Sequence, residues 1–585
     1  MLDFYKGMDI SFLPEYLDKG MCIRDFDNTP TEALSLVAKY GVNALRLRIW
    51  NQPENVPESL GYCSLSHTLA LGRKIKEMDM NFLLDFHYSD YWADPAKQNK
   101  PKAWEHLSFV ELENAVYEYT RDVLLSLKKG DAMPDMVQIG NEIRSGLLFP
   151  DGELPDYSSM VRLVNAGIRG ARAVGGQELL IMIHLDQGGR YFYLKEWFDQ
   201  AIKHGLLDFD LIGLSYYPFW HGTFTDLKET LMHLVTDYKK PIILAETAHA
   251  WRKSAHGFID EAQEKIAGID ATPEGQKKVL DLVMNIMASL PDKMGRGIYY
   301  WEPLCIPEEE QGGWAENMGL LDENGKVMDG IKSFLFTREQ YTPSAVAKIY
   351  QPDKMIVVQG NVPKLPTEVS ALYYDGSIKK HRVTWNTNFG EMKTGTYRLT
   401  GKATDIEAEI TLQITIIDQL PAVSNLVHDP NWDDGLTRWN LDYSKEGVMV
   451  QLCPEFIQPF PAPPQNAIRI EAVKNFHFTI SQQITLYEAG TYHFQVEYKG
   501  TDTTNVNISL FLESLSEQAD ASFSETVIHP TEHEWQEYKT TLHMMKQGVV
   551  QVGIRITSPP VYGMFKQFKL YKESEQINEN NIQLQ

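Results

Sequence analysis

The stretch Asp135-Met-Val-Gln-Ile-Gly-Asn-Glu142 is an apolar run that stops abruptly on an amide and a carboxylate. A strand of a closed parallel barrel must be apolar where it crosses the core, and it can show polar groups only where it emerges at its C-terminal end. Asn141 and Glu142 stand at such an exit. Pro241-Ile-Ile-Leu-Ala-Glu246 has the same build and also stops on a glutamate.

Runs of this kind recur at 5–10, 42–49, 81–87, 135–141, 179–184, 210–215, 241–246 and 297–301. Amphipathic stretches separate them, such as Thr31-Glu-Ala-Leu-Ser-Leu-Val-Ala-Lys-Tyr40, where Thr29 or Thr31 is placed to cap a helix and Gly41 to stop it. Eight strands alternating with helices over residues 1–338 predict an α/β fold, a (β/α)8 TIM barrel. A doubly wound open sheet is the alternative, but no Gly-rich phosphate loop opens any of the helices.

Near 337–343 the pattern changes to strand-like alternation and keeps it. Residues 344–418 hold short strands joined by Asp-Gly and Gly turns, predicting a small Ig-like β-sandwich with Trp385 and Tyr397 in its core. After a linker at 419–423, residues 423–573 carry more and longer strands, at 477–486, 491–498, 505–512, 535–542, 549–557 and 567–571. That count favours a jelly roll. Trp439 and Trp535 are expected in its core, and the polar tail 574–585 is expected to be disordered.

At 585 residues the chain exceeds one core. Its 55 basic and 79 acidic residues leave a net charge of −24, which repels phosphate and argues against nucleic acid. Cys22, Cys63, Cys305 and Cys453 are scattered without a CxxC pair, so neither a disulfide framework nor a zinc site is indicated. No apolar run reaches 18 residues, and the start lacks a basic, apolar leader. Either a leader has been removed or the protein stays inside the cell.

Polar groups gather at the predicted strand exits. Asp9 lies on the first run, Arg46 and Arg48 lie on the second, Asp85 and His87 end the third, and His184 and Asp186 follow the fifth. Tyr216 and Tyr217 follow the sixth, and Trp301 and Glu302 close the eighth. A barrel without a ligand has no reason to place so many there. Two carboxylates on one face are the equipment of a retaining glycosidase. An Arg and a Tyr hydroxyl near Glu246 would keep it ionised as a nucleophile, and a less compensated Glu142 would hold its proton for the leaving oxygen. Asn141 is placed to meet a sugar 2-hydroxyl, and Trp301 offers a face to a pyranose. For His87 and His184 a structural role competes with a catalytic one. No HExxH or EF-hand spacing occurs, so no catalytic metal and no cofactor are expected.

Lys6-Gly-Met-Asp-Ile-Ser, Arg46-Leu-Arg-Ile-Trp-Asn, Leu84-Asp-Phe-His-Tyr-Ser-Asp-Tyr-Trp-Ala-Asp-Pro95, Gln138-Ile-Gly-Asn-Glu142, Leu214-Ser-Tyr-Tyr-Pro218 and Ala245-Glu-Thr-Ala248 together resemble the arabinogalactan endo-β-1,4-galactanases of glycoside hydrolase family 53. The resemblance implies a retaining (β/α)8 enzyme that cleaves internal β-1,4-galactosyl bonds of galactan, with Glu142 as acid/base and Glu246 as nucleophile. It implies substrate contacts from Asp9, Arg46, Asp85, His87, Trp92, Asn141, His184, Tyr216, Trp301 and Trp314. Some bacterial relatives carry a calcium loop after the nucleophile; His249-Ala-Trp-Arg-Lys-Ser-Ala-His256 lacks its ligand pattern, so that metal is not carried over. The later segments are similar to bacterial Ig-like spacers and to β-sandwich carbohydrate-binding modules. The family and its modular build imply an extracellular or cell-surface monomer. The rival readings are another retaining β-glycanase, such as a mannanase or xylanase, and a non-hydrolytic polysaccharide-binding protein.

Overall fold

The computed structural model describes the chain except residues 1, 254–263, 265–266, 306–313, 343, 387–391, 419–424, 431–435, 444–447, 456–464, 473–475, 501–506, 516–522, 529–534, 559–561 and 574–585. Contacts divide it into two compact units, 1–345 with 374–377, and 346–373 with 378–585. In the first unit eight strands close into the expected barrel: β1 (Tyr5–Asp9), β2 (Ala44–Ile49), β3 (Asn81–Phe86), β4 (Met136–Ile139), β5 (Leu180–Leu185), β6 (Leu211–Ser215), β7 (Ile242–Thr247) and β8 (Gly295–Tyr300). Their order around the barrel is β1-β8-β7-β6-β5-β4-β3-β2, and all neighbours are parallel.

Strand ends fall within two residues of the expected ones. β4 stops early, at Ile139, because Gly140 takes a φ of +82° and Glu142 one of +49°, which end the extended chain. The helix Ala33–Lys39 is capped differently from expectation. The N-cap is Glu32, whose carboxylate accepts from the Ser35 amide, and Thr31 lies one residue outside the helix with its hydroxyl donating to the Thr29 carbonyl.

The barrel interior is layered. Its lower layer is apolar: Tyr5, Ala44, Leu83, Met136, Met182, Leu211, Ile243, Ala245 and Tyr299, drawn from all eight strands, form one buried cluster. Two residues further along, each on the same inward face, come Arg46, Asp85, Gln138 and His184, all buried. On β7 this period is broken. Leu214 pairs with Leu244 but Ser215 pairs with Glu246, so Ala245 is an extra residue, a bulge that turns Glu246 toward the interior.

Among the described residues of the second unit the regular elements are strands. β9 (Val346–Tyr350), β10 (Met355–Val358), β11 (Glu368–Tyr373), β12 (Ile378–Trp385), β13 (Gly395–Ala403) and β14 (Ala408–Ile417) lie in the order β9-β11-β12-β13-β14-β10. Val357, Leu412, Ile414 and Ile416 are buried there, and Trp385 and Tyr397 flank this core half-buried rather than forming its centre.

The last ten strands are β15 (Asn440–Tyr443), β16 (Val448–Glu455), β17 (Gln465–Ala472), β18 (Phe476–Leu486), β19 (Gly490–Gly500), β20 (Asn507–Ser514), β21 (Phe523–Ile528), β22 (Gln536–Met544), β23 (Gly548–Ser558) and β24 (Tyr562–Lys572). They form two five-stranded sheets, β15-β18-β23-β20-β21 and β16-β17-β24-β19-β22, over one core, as in a jelly roll. β15, β16, β17 and β21 were not among the expected strands. Trp439 is in this core. Trp535 is not: it is half-buried against Ala467 and Met564, with the Lys499 and Lys566 ammoniums 4.8 and 4.0 Å from its ring centre. The expected linker, the segment 431–435 and the polar tail lie outside the described residues.

The barrel closes where Tyr5 pairs with Gly297. Gly297 has a φ of +126°, and a Cβ there would stand 2.0 Å from the Tyr5 carbonyl oxygen. Gly297→Ala is therefore expected to cost about 3 kcal/mol or more in urea unfolding. Gly20→Ala, at a φ of +88° with open space around it, should cost only about 1 kcal/mol.

Candidate active site

The polar layer is built around Arg46, whose side chain is 1% exposed. Its Nη1 donates to Asp9 Oδ2 at 2.8 Å, and its Nη2 reaches Asp85 Oδ2 at 2.8 Å, Glu246 Oε1 at 2.9 Å and Asn141 Oδ1 at 3.0 Å. Burial works against the charge on Arg46, but Asp85, Glu246 and Asp9 outweigh it and hold the guanidinium protonated. Asp9 is completed by the amide and hydroxyl of Ser11, and Asp85 by Gln138 Nε2 at 2.6 Å. A planar fork of five donors suits this task better than an ammonium does.

Glu246 receives a second donor, the Tyr217 hydroxyl, 3.0 Å from Oε2. Burial pushes its carboxyl up to about 7, with Arg46 pulling down, Asp85 and Asp9 pushing up, and Tyr217 pulling down. Glu142 sits in a left-handed backbone conformation just beyond β4, and the Ser215 hydroxyl donates to its Oε1 at 2.6 Å. Burial, then repulsion from Glu246 and Asp186, raises its carboxyl well above the ordinary range against the pull of Ser215. Among the described residues no cation is paired with it as Arg46 is with Glu246. Of the two, Glu246 is the group that ionises first.

Around this pair Asn141 is locked, its Nδ2 donating to the Ala93 carbonyl at 2.8 Å. The Ala93 amide donates to His87 Nδ1, and His87 Nε2 lies 3.0 Å from Asp85 Oδ2, so both ring nitrogens have protein partners. His184 is buried and kept neutral, chiefly by burial and then by Arg46. Arg48 pairs with Glu302 at 2.6 Å, and burial pushes Glu302 up to about 8 despite that cation. The rim is aromatic: Trp92 lies 5.8 Å from Trp301, Trp301 4.4 Å from Trp314, and Trp314 5.6 Å from Tyr217, ring centre to ring centre.

The structure thus brings together Asp9, Arg46, Asp85, His87, Trp92, Asn141, Glu142, His184, Glu246, Trp301 and Trp314. Tyr216 does not join them. It is buried against Phe224, and its hydroxyl donates to the Gly222 carbonyl; its neighbour Tyr217 is the tyrosine that reaches a glutamate. Gln138 and Ser215 escaped sequence reasoning, although a polar residue at an inward position of an apolar strand is a signal for both. Among the described residues no group of three or more His, Cys, Asp or Glu side chains is placed to hold a metal ion. The lacking calcium pattern was read on a stretch whose residues 254–256 lie outside the described residues.

A parallel barrel carrying two carboxylates of unequal acidity within an aromatic rim defines a barrel glycoside hydrolase. The family model "Glycosyl hydrolase family 53" matches residues 5–334, and "Bacterial Ig-like domain (group 4)" matches 351–406. The chain is 40% identical over 348 residues to an uncharacterized protein in the bgaB 5′ region of Niallia circulans, covering 56% of this chain and 93% of that one. It is 31% identical to the arabinogalactan endo-beta-1,4-galactanase of Cellvibrio japonicus, covering 59% and 93%. The solved Ignisphaera aggregans GH53 catalytic domain superposes with a TM-score of 0.54 at 35% identity, covering 57% of this chain and 95% of that one. The chain belongs to glycosyl hydrolase family 53.

A carboxyl raised by folding stabilises the native state below its unfolded pKa and loses that contribution as pH rises. Glu142 is such a group. Glu142→Gln removes the cost of ionising it, so the variant should gain about 1 kcal/mol over the parent at pH 8 and much less at pH 5. Urea unfolding at the two pH values checks this.

Proposed function

We propose that the chain is an endo-acting, retaining β-1,4-galactanase, with Glu246 as nucleophile and Glu142 as acid/base. The observation that carries this reading is the unequal treatment of the two carboxylates. Arg46 and Tyr217 both donate to Glu246, whereas Glu142 faces Glu246 and Asp186 and, among the described residues, has the Ser215 hydroxyl in support. An ionised nucleophile beside a protonated acid is the starting state for double displacement.

In the first half-reaction a Glu246 oxygen attacks C1 of the sugar as Glu142 gives its proton to the departing glycosidic oxygen. That C–O bond breaks and a glycosyl ester forms. In the second, Glu142 takes a proton from water, the water oxygen attacks C1, and Glu246 leaves as carboxylate. The route calls for a carboxyl separation of about 5 Å. Asn141, aligned by Ala93 and Arg46, is assigned to the 2-hydroxyl, where hydrogen bonding strengthens as oxocarbenium character develops. Trp92, Trp301 and Trp314 are assigned to sugar faces along the rim, with Asp9, Asp85, His87 and His184 supporting them.

The substrate class rests on the named relative from Cellvibrio japonicus, an arabinogalactan endo-beta-1,4-galactanase. A polymer of that size is met outside the cell, which makes an extracellular or surface location part of the proposal. So is a carbohydrate-binding role for the last jelly roll, which would raise the effective concentration of polymer at the barrel. Among the described residues no helix is long and apolar enough to cross a membrane.

Incubation with linear β-1,4-galactan should release short galacto-oligosaccharides whose new reducing ends are first β by NMR. Glu142→Gln and Glu246→Gln should each lower turnover by about a thousandfold or more. Turnover of mannan or xylan with none of galactan, or α-configured first products, would overturn the reading.

A further inference from the structure

Ser215 is the last residue of β6, is fully buried, and stands beside Glu246 in the strand register. Its hydroxyl has two partners: Glu142 Oε1 at 2.6 Å and His184 Nε2 at 3.0 Å. The proton on this hydroxyl can go to only one of them, and the imidazole decides which. His184 is neutral, so one ring nitrogen carries a proton and the other a lone pair. The Glu142 backbone N–H is directed at Nδ1, at 3.4 Å, and the Gln138 amide nitrogen, a donor with no lone pair to offer, lies 2.9 Å from it. The Gln138 amide cannot be turned round, because its nitrogen also lies 2.6 Å from Asp85 Oδ1 and 3.2 Å from the Gly140 carbonyl, both acceptors. Asn141 Oδ1, 3.0 Å from Nδ1, already accepts from Arg46. The lone pair therefore belongs on Nδ1 and the proton on Nε2, directed at Ser215.

We infer that Ser215, polarised by the Nε2–H of His184, is a positioning residue for the acid/base: it donates to Oε1 of Glu142 and leaves Oε2 as the oxygen that carries the transferable proton. The inference rests on the assignment of Glu142 as acid/base. One donated hydrogen bond serves both half-reactions. It fixes the carboxyl rotamer while Oε2 protonates the leaving oxygen, and it stabilises the carboxylate when Oε2 must next take a proton from water. The charged and titratable groups around Glu142 come from several elements: Glu246 on β7, Asp186 after β5, Asp94 after β3, and Tyr217 after β6. Asp186 is itself paired with Arg144 at 2.8 Å. Of the groups named here, Ser215 is the one that hydrogen-bonds the Glu142 carboxylate.

The test is the pH dependence of kcat/KM on linear galactan, in which the alkaline limb reports loss of the acid proton. Ser215→Ala should move that limb upward by about one pH unit, since the ionised carboxylate loses a donor. It should also lower kcat about tenfold with little change in KM. Ser215→Thr keeps the hydroxyl and should return the limb toward the parent. His184→Ala should move it in the same direction as Ser215→Ala, because the serine loses the group that polarises it. A limb that stays in place in Ser215→Ala, or moves as far in the threonine variant, overturns the inference. So does a downward shift in His184→Ala, which would mean that the imidazole was accepting the serine proton. Glu142→Gln separates the two levels of argument. If it remains active, the acid/base assignment has failed; if it is inactive and the Ser215→Ala limb does not move, only the role of Ser215 has.

Discussion

A single guanidinium organises the upper half of the barrel. Arg46 is buried, and three carboxylates from three other strands close on its two terminal nitrogens. Remove that charge and Asp9, Asp85 and Glu246 would repel one another in a medium that screens them poorly. With it in place, Asp85 lies below the ordinary carboxylate range despite its burial, because Arg46 and then His87 pull it down. Glu246 shares the same cation and ionises before Glu142. The reactive carboxylate is thus one corner of a structural cluster, and its ionisation is set by strands on the far side of the barrel.

The layering beneath makes such a cluster affordable. Nine apolar side chains plug the lower barrel, so the fold does not depend on the polar layer for its core. Because side chains alternate along a strand, a polar residue two positions past a plug residue must point into the same space. The bulge at Ala245 is the exception the chemistry requires. Without that extra residue Glu246, one position past the inward-facing Ala245, would fall on the outer face of β7, away from Arg46.

These facts also say what was legible in advance. The pairs Arg46 and Arg48, Asp85 and His87, and His184 and Asp186 are each spaced by two, and that spacing on an apolar run already places them inward. Tyr216 and Tyr217 could have been told apart the same way: Ser215 points inward, so Tyr217 must and Tyr216 must not. Glu246 could not, since strict alternation would have turned it outward and nothing in Leu244-Ala-Glu246 announces a bulge. Gln138 was hidden inside a run read only for its apolar content, and Ser215 is too small to stand out at a strand end. The half-buried Trp535 was misplaced because aromatic residues on alternating strands usually mark a core, whereas two lysine ammoniums lie over its ring here.

The central claim is that Glu246, held by Arg46 and Tyr217, is the carboxylate that bonds to the sugar. A 2-deoxy-2-fluoro galactosyl reagent with a good leaving group slows the release of such a bond, so the labelled residue can be read by mass spectrometry of the digested protein. The account predicts one label, on the peptide that contains Glu246, at the expense of activity. A label on Glu142 or Glu302, or full inactivation with no covalent mass added, would contradict it.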